Sequence, residues 1–171
     1  MNKEEKYGHL LPQVAALCEG ERDLIAKMAN VSALLHHEFG FWWTGFYRIA
    51  PACGVIQNPR DNKGLMDNSE AGRYELVLGP FQGPLACVHI GYGKGVCGTA
   101  WKERRTVVVP DVEQFPGHIA CSSESRSEIV VPVFQGDEVI AVLDIDSRDL
   151  NTFDEVDACW LERVAALLTT D

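Results

Sequence analysis

Apolar residues recur along this chain with two different periods, and each period marks an element. From Glu21 to about His37, Leu24, Met28, Val31 and Leu35 follow one another at steps of four, three and four, which predicts one helix with a single apolar stripe; Gly40 stops it. Residues 1–20 read as a short helical lead-in. Phe41–Ala50 is aromatic and β-rich and reads as a strand, with Gly45 marking a bulge or a close approach. Residues 51–72, rich in Pro, Gly and polar side chains, read as a loop. Three short β-like runs follow, Tyr74–Leu78, Ala86–Ile90 and Thr106–Val109, with a glycine-rich turn and a short helix around Val96–Arg104 between the last two.

Asp111–Ser127 is an irregular stretch long enough to suggest a working loop. Glu128–Phe134 and Val139–Ser147 pair around Gln135, Gly136 and Asp137, and Pro132 argues that the first of them is an edge strand or carries a bulge. Thr152 and Glu155 have the spacing of a capping box ahead of Val156, Trp160 and Val164 at helical intervals. Together these predict one α+β domain over residues 1–171, a mainly antiparallel sheet flanked by N- and C-terminal helices.

Composition narrows the class. The 171 residues are 46% hydrophobic and 23% charged, which excludes disorder and low-complexity architecture. Lys and Arg total 15 against 25 Asp and Glu, a net charge of −10 with a pI near 4.9, and no basic cluster exceeds Arg104–Arg105. Nucleic acid and anionic membrane are therefore poor partners. No apolar run approaches the roughly 20 residues of a membrane span, and the polar N-terminus lacks a signal peptide's apolar centre. The expectation is a cytoplasmic, reducing setting, in which six cysteines act as buried fillers, metal ligands or redox groups rather than as permanent bridges.

Cys18 and Cys159 lie in helical patterns and read as small buried hydrophobes. Cys53 sits in the Pro/Gly loop without a partner motif. The other three have chemical settings. Alternation in LACVHI puts Cys87 and His89 on one face, Cys97 opens the short helix after Gly93-Lys94-Gly95, and Cys121 follows His118 by three residues in the long loop. A helix N-terminus or a nearby cation lowers a thiol's pKa, and the thiolate is the nucleophile. Spacing alone leaves redox chemistry, burial and metal ligation open; Cys87, His89, Cys97, His118 and Cys121 hold enough nitrogen and sulfur for a tetrahedral zinc, in a spacing that matches no standard module. Asp144 and Asp146, two residues apart in VLDIDS, project from one face of a strand while Leu143 and Ile145 point the other way. Like charges so placed cost energy unless a cation or a proton belongs there; Glu128 opens the preceding strand.

The stretches GRYELVLGPFQGPLACVHIGYGKGVCGTAW, VPDVEQFPGHIACSSESRSEIVVPV and VIAVLDIDS together resemble the free-methionine-(R)-sulfoxide reductases, stand-alone GAF-domain enzymes that reduce the R epimer of free methionine sulfoxide with thioredoxin as the usual donor and no bound cofactor. The resemblance implies that Cys121 in GHIAC is the nucleophile, Cys87 in LACVHI the principal resolving cysteine and Cys97 in GVCGTAW a third redox cysteine. It implies that Glu128, Asp144 and Asp146 line the substrate pocket, and that Trp42 or Trp43, with Tyr47, encloses the substrate. GAF domains often pair, so a homodimer is a family-level expectation. Two rival readings are a GAF sensory module that binds a small ligand without chemistry, and a zinc protein using the same cysteines.

Overall fold

The computed structural model describes residues 2–52, 72–119 and 123–170. Cys53, Cys121 and most of the predicted 51–72 loop therefore lie outside the described residues. Along the rest run α1 (Lys3–Cys18), α2 (Leu24–Phe39), β1 (Trp43–Pro51), β2 (Tyr74–Gln82), β3 (His89–Gly91), α3 (Gly95–Glu103), β4 (Val107–Val109), a 3-10 turn (Val112–Gln114), β5 (Ser127–Gln135), β6 (Glu138–Ser147) and α4 (Glu155–Leu167). The described strands form one sheet in the order β3-β2-β1-β6-β5-β4. Each described strand pairing is antiparallel, as the α+β reading required.

The two sheet faces are covered differently, and that difference makes the site. Strand alternation turns Phe46, Ile129, Val131, Leu143 and Ile145 to one face, where α1, α2 and α4 pack over them. Burial of each such side chain contributes roughly 1.5–3 kcal/mol. The intervening residues turn to the other face, where α3 and loop segments pack over Trp43, Tyr47, Val130 and Val142.

Helix ends follow local chemistry. Asp23 accepts from the N–H groups of Ile25 and Ala26 to start α2, and Gly40, at φ 68°, closes it. The predicted stripe of α2 faces inward, with Met28, Val31 and Leu35 buried. Helix α1 is integral to the core: Asn2 and Glu5 form a capping box, and Tyr7, Leu10, Val14 and Cys18 are buried. The Tyr7 hydroxyl donates to Asp157 of α4 at 2.9 Å, and Lys3 pairs with Asp154 at 2.8 Å and also with Asp157.

Several expectations need correction. The cap of α4 is Asp154 with Asp157, not Thr152 with Glu155, because the Asp154 carboxylate reaches the free N–H groups of Val156 and Asp157. Thr152 instead hydrogen-bonds Ser147 Oγ at 2.7 Å. The buried stripe of α4 runs through Asp157, Leu161 and Val164, and Cys159, two residues from both Asp157 and Leu161, lies on the opposite side and is exposed rather than buried. Strand β5 is not an edge strand, but β4 pairs only with Glu128–Val130, so Pro132 sits where one side has no neighbouring strand, one residue before a register shift at Val133/Phe134. The run Ala86–Ile90 is mostly coil; β3 begins at His89.

Gly45 meets its predicted role. The β1–β2 register shifts there, and a Cβ at Gly45 would lie 2.4 Å from Phe81 Cβ and 2.5 Å from the Trp43 ring. Trp43 thus lies across Gly45, stacked on Phe81 (centroids 5.4 Å) and on Tyr47 (6.0 Å). Gly45→Ala should overpack this contact and lower stability by about 1–3 kcal/mol. Denaturant unfolding would show it, and an unchanged midpoint would mean that the indole is not seated there.

Candidate active site

The cross-strand register assembles an acidic floor. Trp43 of β1 pairs with Asp146 of β6, and Asp146 pairs in turn with Glu128 of β5; the next row on that face is Gly45, Asp144 and Val130. Directly paired side chains on one face have Cβ atoms roughly 4.5–5.5 Å apart, so the three carboxylates share one small patch of sheet. They line a cavity of about 540 Å³, open solvent at its mouth included, together with Trp42, Trp43 and Tyr47. Its roof is the start of α3 (Gly95, Val96, Cys97), with His118, Ile119, Leu85 and Ala86 at the sides.

Burial dominates the electrostatics. Burial pushes Glu128 well above the usual carboxylate range, and the charges of Asp144 and Asp146 and a hydrogen bond to Asp144 push it further. Asp144 is likewise raised by burial and by Asp146, partly offset by hydrogen bonds with Cys97 and Glu128. Asp146 is pushed up to about 6 by burial, against a hydrogen bond with Ser125 that lowers it. The hydrogen bond shared by Glu128 and Asp144 raises Glu128 and lowers Asp144, so within the pair Glu128 is the proton donor and Asp144 the acceptor. One Asp144 oxygen, Oδ1, is buried with no hydrogen-bond partner among the described residues, and the same is true of the Trp42 indole N–H.

The sequence-predicted residues are partly brought together. Glu128, Asp144, Asp146, Trp42, Trp43, Tyr47 and Cys97 all line the cavity. The two tryptophans differ: Trp43 donates its indole N–H to Pro84 O at 3.1 Å and is locked, whereas the Trp42 N–H has no partner among the described residues. Cys97 is the third residue of α3, but its thiol is pushed up rather than down. Burial and the charges of Asp144 and Glu128 outweigh the helix N-terminus, so the expected lowering does not hold there. Cys87 lies in coil ahead of β3, so it shares no strand face with His89, which is exposed and bonded through Nδ1 to Glu75 at 3.0 Å. Cys87 is disulfide-bonded, while Cys18, Cys97 and Cys159 are free. The Tyr47 hydroxyl donates to the Cys87 carbonyl at 2.9 Å, which ties the cavity floor to that cysteine. The zinc set drawn from spacing is not assembled among the described residues. The potential ligand atoms that do converge are those of Cys97, Glu128 and Asp144.

Ser125, Lys94 and Arg148 were not singled out from the sequence, whereas His118 was, as a possible zinc ligand. Ser125 bonds Asp146, and burial lowers the pKa of His118, whose Nε2 stands 3.7 Å from Glu128 Oε2. Lys94 lines the mouth as the N-cap residue of α3. Arg148 lies 3.4 Å from the Trp42 ring centroid and pairs with Glu124 at 2.7 Å, bracing the wall against the loop. No hydrophobic period reports such contacts; a Ser or Arg in a polar stretch is legible only once the strands are in register.

A sequence profile of the GAF domain family matches residues 52–170. The chain is 49% identical to "GAF domain-containing protein A" of Dictyostelium discoideum, over 98% of this chain and 92% of that protein. It is 40% identical to "Free methionine-R-sulfoxide reductase" of Saccharomyces cerevisiae, over 98% of this chain and 86% of that protein. Among solved structures, the free methionine-R-sulfoxide reductase of Neisseria meningitidis in complex with its substrate superposes with a TM-score of 0.83 at 45% identity, covering 99% of this chain and 89% of that one.

The raised Asp146 carboxyl has a measurable consequence. An acid whose pKa is higher folded than unfolded binds its proton more readily in the native state, so folding loses stability as pH rises from about 4 through the native value of about 6. Asp146→Asn should therefore raise stability at pH 7 by on the order of 1–2 kcal/mol, the full shift being discounted for partial exposure. The gain should vanish below about pH 4. Thermal melts across that range would show it, and a gain independent of pH would contradict the assignment.

Proposed function

The chain belongs to the free methionine-R-sulfoxide reductases, a family of stand-alone GAF-domain enzymes, and from that premise we propose how it reduces free methionine-(R)-sulfoxide. The observation that carries the reading is the buried Glu128–Asp144–Asp146 cluster in a cavity tied to a disulfide-bonded cysteine. Cys121 is the nucleophile. Its thiolate attacks the sulfoxide sulfur while Glu128, the carboxyl that holds a proton, gives it to the departing oxygen. The protonated oxygen passes as hydroxyl from the methionine sulfur to the Cys121 sulfur as the bond between the two sulfurs breaks. Methionine thus leaves with its sulfur reduced, and Cys121 is oxidised to a sulfenic acid, which condenses with the Cys87 thiol to a disulfide and water. A dithiol donor of the thioredoxin type then attacks that bond and reforms both thiols. Cys97, with its raised thiol, is an auxiliary redox group rather than the first to react.

Recognition follows from the same groups. Asp144 and Asp146 hold the substrate's α-ammonium, with Asp144 Oδ1 the unfilled acceptor, and Trp42, Trp43 and Tyr47 enclose the methyl-sulfoxide end. Lys94 and the first N–H groups of α3 suit the α-carboxylate. The proposal further includes one working domain over 1–171, a homodimer and a cytoplasmic setting; no helix among the described residues is long and apolar enough to cross a membrane.

The test of the reaction is turnover on the separated sulfoxide epimers with a thiol donor: the R epimer should be reduced and the S epimer left. Cys121→Ser should form no methionine even in a single turnover, whereas Cys87→Ser should form the first equivalent and then lose thioredoxin-driven turnover. Methionine formed by Cys121→Ser would sink the nucleophile assignment.

A second prediction concerns the ammonium. Acetylating the substrate's amine removes a charge-assisted hydrogen bond of roughly 1.5–3 kcal/mol, on the order of a 10- to 100-fold loss in kcat/KM. Asp144→Asn should raise KM, and Glu128→Gln should depress kcat instead. Equal kcat/KM on the free and acetylated sulfoxides would show that these carboxylates do not read the amine.

A further inference from the structure

Cys97 Sγ and one carboxylate oxygen each of Glu128 and Asp144 lie within 4.8 Å of one another, on three buried residues carried by α3, β5 and β6. We propose that these three groups form a binding site for a thiophilic divalent cation of the zinc class. It differs from the constellation that sequence spacing suggests, since it uses neither Cys87 nor His89.

The donor set decides the cation. A thiolate sulfur selects zinc-like ions and disfavours magnesium and calcium, which require all-oxygen cages. Two carboxylate oxygens and one sulfur make a three-ligand set that leaves a fourth tetrahedral position open. His118 Nε2 stands 3.7 Å from Glu128 Oε2. The independent sign of a missing ligand is Asp144 Oδ1: the residue is 6% exposed, lines the cavity and leaves this oxygen without a partner among the described residues. A buried acceptor left unmade carries a desolvation cost, and a cation removes it. Helix and strands hold the three donors in place, so little ordering is required on binding. A cation seated there also takes up the carboxylates assigned to the substrate, so metal and sulfoxide exclude one another. That consequence rests on the proposed reaction, whereas the binding itself does not.

The experiment uses the full-length protein with Cys87 in its disulfide, titrated with Zn²⁺ against a chromophoric chelator, and separately with Co²⁺, read through thiolate-to-cobalt charge-transfer absorption. The expected result is one equivalent bound in the oxidised protein, with the charge-transfer band present. Cys97→Ser should abolish the band, and both Cys97→Ser and Asp144→Asn should weaken binding at least about tenfold, while Cys18→Ser and Cys159→Ser leave it unchanged. The proposal is overturned by a band that survives Cys97→Ser, by binding that arises only after the disulfide is reduced, by dependence on Cys159, or by no saturable binding at all.

Discussion

Three carboxylates on one face of two adjacent strands repel one another, and the cost rises steeply when water is withdrawn. Glu128 and Asp146 are directly paired across β5 and β6, with Asp144 one row along. Such a cluster is tolerable only if a proton is retained or a cation arrives, and here all three acids are raised, with burial the leading cause in each. The opposite face of the same strands offsets the expense, because Ile129, Leu143 and Ile145 are fully buried under three helices. One strand pair thus anchors the fold on one side and carries the charge on the other. The chemistry follows from that division, since the protonated acid and the ionised acceptor sit side by side.

The walls serve the same end. Trp43 can lie flat across β1 only because Gly45 has no side chain. Gly98 lets α3 come down on the β3 end, where a Cβ would stand 2.4 Å from the Gly91 carbonyl oxygen. That close approach is what buries Cys97 against the acids. The price is a less acidic thiol, which fits an auxiliary group better than a nucleophile. Arg148 and Ser125 then fasten the loop onto the wall, through Glu124 and Asp146 respectively.

Much of this was legible along the chain, where period and chemistry coincide. The two-residue spacing of Asp144 and Asp146, between residues bound for the core, identified the acidic face, and the Met28–Val31–Leu35 stripe identified α2. The misreadings arose where one signal competes with another. Thr152 and Glu155 match a capping box, but Asp154 with Asp157 forms the observed one, and Cys159 lies opposite the buried Asp157–Leu161 stripe. The spacing of Cys87 and His89 is that of one strand face, yet the strand begins at His89 and does not hold both. The position of Cys97 at a helix start suggested a lowered pKa; burial beside two acids reversed the sign, and burial is not written in a local pattern. The partner of the Trp43 indole N–H is Pro84, forty-one residues further on, which no local pattern reports.

The central claim is that a carboxyl of this cluster, Glu128, holds a proton at neutral pH. Infrared difference spectroscopy on the reduced protein, titrated between pH 5 and pH 9, reads the carbonyl stretch of a protonated carboxyl directly. The account predicts a protonated-carboxyl band present at pH 7 and absent from Glu128→Gln. A wild-type spectrum with no such band at pH 7, or one unchanged by Glu128→Gln, would contradict it.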